Sequence, residues 1–275
     1  EFTIENWKSR VEAGGNMDHY GRLYLEFLME ENPVSGGGYG INGIEGDPSW
    51  YDRRLPDVSH AAAAEGMAAR KFFLEKLDAI DTKKLGRPDQ IDLHILKNQV
   101  ALDQLQETHL GTLTNPLNYV TTLGQGMSGL VFRDYAPIEE RLRSFGARCK
   151  ATGKYLEGVR AALSPPDVRP SLMNKTMTAS RLGGMTGEGS LYKKTLPDLV
   201  ENSGLDEKTR AKILEACTVA VDDINRFALW FDETVAPRED GEWRLGPELY
   251  DQKYKLQMDY PLGPEELLAE AERWL

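Results

Sequence analysis

The stretch IEERLRSFGARCKATGKYLEGVRAAL, residues 138–163, decides the fold class. Ile138, Leu142, Phe145, Cys149, Leu156, Val159 and Leu163 recur at helical spacing and make one continuous apolar stripe. The pattern predicts a long helix from about Pro137 to Leu163, stopped by SPPDVRP. A second stretch of the same kind, LDEKTRAKILEACTVAVDDINRFALWFDETVA, carries Ile213, Cys217, Ala220, Val221, Ile224, Phe227, Ala228 and Phe231 on its stripe. Pro237 and the polar turn REDGE mark its end.

Working towards the N-terminus, three more helices are expected. HYGRLYLEFLMEENP places Tyr20, Leu23, Tyr24, Phe27 and Leu28 on one face and ends before Pro33. DVSHAAAAEGMAARKFFLEKLDAID begins with Asp57 or Ser59 as N-cap and turns Met67, Leu74, Leu77 and Ile80 inward. RPDQIDLHILKNQVALDQLQETHL starts at Pro88 and buries Ile91, Ile95, Leu102 and Leu105. Residues 115–137 are less regular, with Leu123, Met127, Leu130 and Val131 allowing a short helix. Residues 33–56, glycine-rich with three aromatic residues, read as an ordered loop. Residues 164–204 read as loop around a short helix near 172–182. GEWRLG is a candidate short ribbon; nothing else alternates like a strand. The expected fold is all-α, a multi-helix array or bundle with long loops, forming a single domain over residues 1–275.

Composition agrees with a globular chain: 275 residues, 40% hydrophobic and 28% charged. The formal net charge of −11 opposes nucleic-acid phosphates and anionic membranes, and no basic patch offsets it. No apolar run has the roughly 18 residues that a membrane span needs. The opening EFTIENWKSR is neither a signal peptide nor an anchor; the lack of an initiating Met points to an upstream segment removed. A cytoplasmic and an exported location both stay open. Cys149 and Cys217 lie on helix faces, either as buried free thiols or as a helix-to-helix disulfide.

The motifs that carry chemistry are sparse. Gly38-Tyr39-Gly40-Ile41-Asn42-Gly43 spells G-x-G-x-x-G, but a helix precedes it and Pro48 follows, so it reads as a turn cluster. Gly126-Met127-Ser128-Gly129-Leu130 nearly matches a nucleophile elbow, with Leu130 where the last glycine belongs; a helix cap or kink fits better. The histidines are His19, His60, His94 and His109. None lies four residues from another, so no H-E-x-x-H exists, and no C-x-x-C is present. The residues thus offer no catalytic group and no metal ligand set.

The closing PEELLAEAERWL predicts a last helix: Pro264 suits the first turn, and Glu265 and Glu266 suit its positive end. Leu267, Leu268, Ala271, Trp274 and Leu275 form an open apolar face without a C-terminal stop signal.

Several stretches together resemble the bacterial domain of unknown function 885 (DUF885) family. They are LEFLMEENPVSGGGYGINGIEGDPSWYDRRLPDVS, RPDQIDLHILKNQVALDQLQ, FRDYAPIEERLRSFGAR and RLGPELYDQKYKLQMDYPLGPEELLAEAERWL, in the family's order and approximate spacing. The resemblance implies a mostly helical, zincin-like peptidase with a deep cleft and an H-E-x-x-H helix in its C-terminal half. This chain then matches the N-terminal half only, ending before the metal residues. Zinc is implied for the full-length member and no cofactor for this chain. The expected role is a helical cleft wall of a zinc-dependent metallopeptidase acting on short peptides; the alternative is a non-catalytic helical binding or scaffold module. On the first reading, Trp274 and Leu275 pack against a missing C-terminal half or a neighbouring chain.

Candidate substrate contacts fall in Phe132-Arg133-Asp134-Tyr135, where polar residues interrupt apolar segments at a helix junction. Arg133 suits a peptide carboxylate and Tyr135 a peptide carbonyl, with Asp134 between them. The competing reading is an Arg–Asp pair and a half-buried tyrosine that hold the junction together.

Overall fold

A computed structural model describes residues 2–109, 111–259 and 262–274. The helices are α1 (Ile4–Ala13), α2 (Met17–Glu31), α3 (Pro33–Tyr39), α4 (His60–Asp78), α5 (Arg87–Thr108), α6 (Pro116–Phe132), α7 (Ile138–Leu163), α8 (Leu172–Thr186), α9 (Leu196–Glu201), α10 (Glu207–Thr234), α11 (Gly246–Met258) and α12 (Pro264–Arg273). No strand occurs among the described residues beyond an isolated bridge between Ile44 and Asp47. The fold is all-α, and the ribbon expected at GEWRLG does not form.

The chain divides into two compact units, with dividing points inside α2, inside α4, at 113/114 and at 241/242. One comprises Glu1–Glu26, Ala63–Leu113 and Glu242–Leu275. Its centre is aromatic: Tyr24 stacks on Phe73 with centroids 5.4 Å apart, Trp7 approaches the same ring at 5.4 Å, and Tyr20 at 6.2 Å. The Trp7 indole N–H donates to Leu23 O at 2.7 Å, so the one polar atom of this buried side chain is satisfied. Buried Arg70 pairs with Glu107 at 2.8 Å.

Two expected registers in this unit hold only in part: Leu77 and Leu105 are buried as expected, the other residues expected inward are not. In α4 the buried side chains include Ala69, Arg70, Phe73 and Leu77, whereas Met67 and Leu74 are only half-buried. The alanine-rich opening supplies no large side chain to set the phase, and Phe73 sets it by docking among the rings. In α5 the inward residues are Leu93, Val100 and Leu105, while Ile91 and Ile95 are exposed. Both helices α1 and α11 form where no element was expected. α12 forms as expected, with the Glu266 carboxylate accepting the Gly263 N–H at 2.9 Å. Leu268 and Trp274 on its face are exposed, and Leu275 lies outside the described residues.

The other unit comprises Phe27–Ala62 and Thr114–Gly241. α7 is its axis, flanked by α6 and α10, with α8 against both of these neighbours. The expected stripes hold: Leu142, Phe145, Cys149, Leu156, Val159 and Leu163 of α7 meet Ile213, Cys217, Ala220, Ile224, Phe227 and Phe231 of α10 in one buried cluster. Cys149 and Cys217 are free thiols with sulfurs 3.2 Å apart. α6 is longer than expected, and a π-type turn at Leu191–Thr195 leads into α9 within the region read as loop.

Arginines close helix ends where glycine is missing. Arg238 donates to Leu163 O, Pro165 O, Val168 O and Ser164 O, all between 2.9 and 3.1 Å, at the end of α7. Arg141 does the same for α6, donating to Leu130 O, Val131 O and Arg133 O. A guanidinium suits this work because its fixed fork of donors meets several orphan carbonyls at once.

Candidate functional site in the second unit

The site is built on α3. Pro33 opens this helix at its first position, so residues 33–39, expected as loop, are helical despite three consecutive glycines. Gly36 is needed because a Cβ there would lie 2.2 Å from Ile41 O, and Gly40 ends the helix at φ 73°. The chain then folds back: Asn42 O accepts the N–H groups of Tyr51 and Asp52, at 3.0 and 3.3 Å. A Cβ at Gly43 would lie 2.2 Å from Asp47 O. The G-x-G-x-x-G run is therefore a turn cluster, and it places Asp52.

Arg148 of α7 fixes this loop from below. Its guanidinium is buried and donates to Arg54 O at 3.0 Å, to Tyr51 O at 3.1 Å, and to Gly126 O of α6. Burial pulls its pKa down to about 10, with the Asp52 charge opposing that shift, so it stays a cation at neutral pH. Gly126 makes room: a Cβ there would meet Val34 at 3.0 Å and Arg148 Nη1 at 3.4 Å. The near-elbow around Ser128 is thus plain α6 helix, its glycine serving a close approach.

Asp52 is buried and accepts the Tyr135 hydroxyl at 2.6 Å. Burial raises its carboxyl above the usual range, while the Tyr135 hydrogen bond and the charges of Arg148 and Arg133 pull the other way. The Tyr135 phenol is also raised, by burial first and by Asp52 next, so the tyrosine remains a protonated donor. Arg133 lies over the Tyr135 ring, its guanidinium carbon 5.5 Å from the centroid. Gly37 lets it approach, since a Cβ there would come within 2.6 Å of Arg133 Nη1. Among the described residues the Arg133 guanidinium makes no hydrogen bond or ion pair.

These groups surround a cavity of about 540 Å³ lined by α3, the Asn42–Asp52 loop, α6 and the 133–135 turn. A smaller one of about 180 Å³ shares Asn42, Asp52 and Tyr135 with it. The larger volume falls within the range of small-molecule sites. Its charged lining is two arginines, Arg133 and Arg148, against Asp52, in a chain with a formal net charge of −11. Asn32 Oδ1 and Asn42 Oδ1 are buried at the cavity and, among the described residues, have no hydrogen-bond partner. Buried polar atoms are nearly always paired, so two orphans in one lining mark a place that a ligand or water completes.

Of the three expected contact residues, the structure brings Arg133 and Tyr135 to the cavity. Asp134 points away, its side chain 97% exposed, with Arg141 as its partner at 3.3 Å. Sequence reasoning missed Asn32, Asn42, Asp52 and Arg148. The one available signal was in α7, where Arg141, Ser144, Arg148 and Thr152 recur at helical spacing beside the apolar stripe and are all buried. Among the described residues no group of three or more His, Cys, Asp or Glu can hold a metal ion, so the zinc implied by resemblance has no ligand set there. Nor is any described helix long and apolar enough to cross a membrane.

Fold and site together define an all-α protein with a polar, arginine-lined cavity on a helical scaffold. Residues 33–274 match the family described as bacterial protein of unknown function (DUF885), and the chain belongs to that family. It is similar in structure to a protein from Shewanella oneidensis described as a candidate lipoprotein of unknown function, with TM-score 0.77 and 21% identity. That match covers 94% of this chain and 45% of the other, so the chain spans less than half of that protein's length. No protein of curated function matches the chain.

Proposed function

We propose that this chain is a substrate-holding wall of a peptide-hydrolysing enzyme, with the cavity beside α3 and α6 receiving a short peptide. The observation that carries the reading is the lining itself. The guanidinium of Arg133, without an ion pair among the described residues, and the unpartnered carboxamide oxygens of Asn32 and Asn42 are complementary to the carboxylate and N–H groups of a peptide. A zinc centre and its water-activating glutamate would then stand on residues other than those described. The greater length of the Shewanella oneidensis protein is compatible with that. On the same reading the exposed face of α12, with Trp274 84% exposed, packs on a further part of such a longer protein or on a neighbouring chain.

The test is the intact mass, zinc content and short-peptide hydrolysis of the protein isolated from its natural source. A mass well above 30.8 kDa, bound zinc, and hydrolysis lost to a chelator and restored by zinc are expected. A stable, metal-free protein of 30.8 kDa without hydrolysis would instead favour a non-catalytic helical binding module.

A further inference from the structure

Resting on the peptide-wall reading, we infer that the cavity selects the C-terminal end of its peptide: the terminal carboxylate sits on Arg133, and the last amide groups pair with the Asn32 and Asn42 carboxamides. Three features choose this end over the amino end. First, the accessible charge is cationic: among the described residues Arg133 is exposed at the rim with no carboxylate partner, whereas the one acidic group in the described lining, Asp52, is buried and already accepts Tyr135. An ammonium group would have to reach a buried carboxylate and stand near two guanidinium groups.

Second, Arg133 is held ready. The Tyr135 ring lies beneath it and Gly37, lacking a Cβ, lets its Nη1 come in against α3, so the planar fork is positioned with little ordering left to do on binding. Third, a carboxamide offers an acceptor and a donor side by side, the pattern that a peptide group presents in reverse. Two such groups are left without hydrogen-bond partners for their buried oxygens. Phe132, exposed at 69% on the same rim, gives an apolar surface for the side chain next to the terminus.

The experiment is calorimetric titration of the 275-residue chain with N-acetyl-trialanine, its C-terminal amide, and unacetylated trialanine amide. The free acid should bind, and the amide should bind at least about tenfold more weakly because it lacks the charge-assisted pair. Arg133→Ala should erase that difference while leaving the thermal midpoint unchanged, and Arg133→Lys should restore part of it. Equal binding of acid and amide, or an unaltered preference in Arg133→Ala, overturns the inference and leaves the peptide-wall reading standing. Selective binding of the free-amine peptide overturns it in favour of Asp52 as the anchor. No binding of any peptide overturns both. Because the Arg133 side chain is exposed, its replacement leaves the fold intact, and the thermal midpoint checks this.

Discussion

Replacing Arg148 with Met removes the guanidinium while keeping most of the hydrocarbon volume, so the effect isolates hydrogen bonding and charge. Three backbone carbonyls, those of Tyr51, Arg54 and Gly126, lose their donor. An unmade hydrogen bond to a buried acceptor costs about 1–3 kcal/mol. The lower part of that range applies because Arg148 borders a cavity of about 540 Å³ that can admit water to some of these oxygens. The expected loss is therefore about 3–5 kcal/mol, a large share of the roughly 5–15 kcal/mol that keeps a domain folded. Asp52 loses a nearby cation as well, so the loss should be greater at neutral pH than in acid. Urea unfolding followed by far-ultraviolet circular dichroism measures it. Arg148→Lys, which keeps the charge but not the fork, should recover less than half. A loss below about 1 kcal/mol for the Met variant would show that the 51–54 segment is not held by this side chain.

Three further outcomes follow from the same geometry. Burial holds the Asp52 proton to higher pH in the folded chain than in the unfolded one, whose carboxyl titrates at about 4, so its stabilising contribution is complete below that pH and is lost as pH rises through the higher folded value. Asp52→Asn should thus gain stability relative to the parent as pH rises from about 3 to 7; the opposite slope in urea midpoints refutes the assignment. Burial and the neighbouring thiol both raise the Cys149 pKa, and the Cys217 side chain is buried, so neither thiol should react with Ellman's reagent in the folded chain, and both should react in urea. Fast native labelling, or no labelling in urea without reductant, contradicts free buried thiols. Gly36→Ala should destabilise strongly because its Cβ meets the Ile41 backbone oxygen, whereas Gly37→Ala should only displace the Arg133 side chain; equal thermal midpoints for the two variants refute this distinction.

The sequence was most legible where a strong, regular amphipathic stripe enters the main buried cluster. α7 and α10 show this, because the large apolar residues of each stripe all fall in or against that cluster and fix the helix phase. It failed where packing partners set the phase. Ile91 and Ile95 form a convincing apolar pair, yet Leu93 and Val100 are inward in α5, where Asp103 accepts the Tyr24 hydroxyl at 2.5 Å and Glu107 pairs with Arg70, so tertiary partners rather than the helix's own pattern fix its rotation. In α3, glycine content argued for a loop, but Pro33 at the first position and the tight contact at Gly36 make those glycines a requirement of helix packing. The site was half legible: Arg133 and Tyr135 stand at a visible junction, while Asp52 and Arg148 look like surface charges until three-dimensional pairing buries them. A periodicity reading sorts residues by polarity, so buried polar groups that bond to backbone carbonyls are what it misassigns.

The most direct measurement is an amide chemical-shift titration of the isotopically labelled 275-residue chain with N-acetyl-trialanine. The account predicts saturable shifts grouped on residues 32–42, around Asp52 and on 128–135, with the exposed faces of α8 and α10 unmoved. Shifts confined to those other faces, or none at millimolar peptide, would contradict the claim that this cavity holds a peptide.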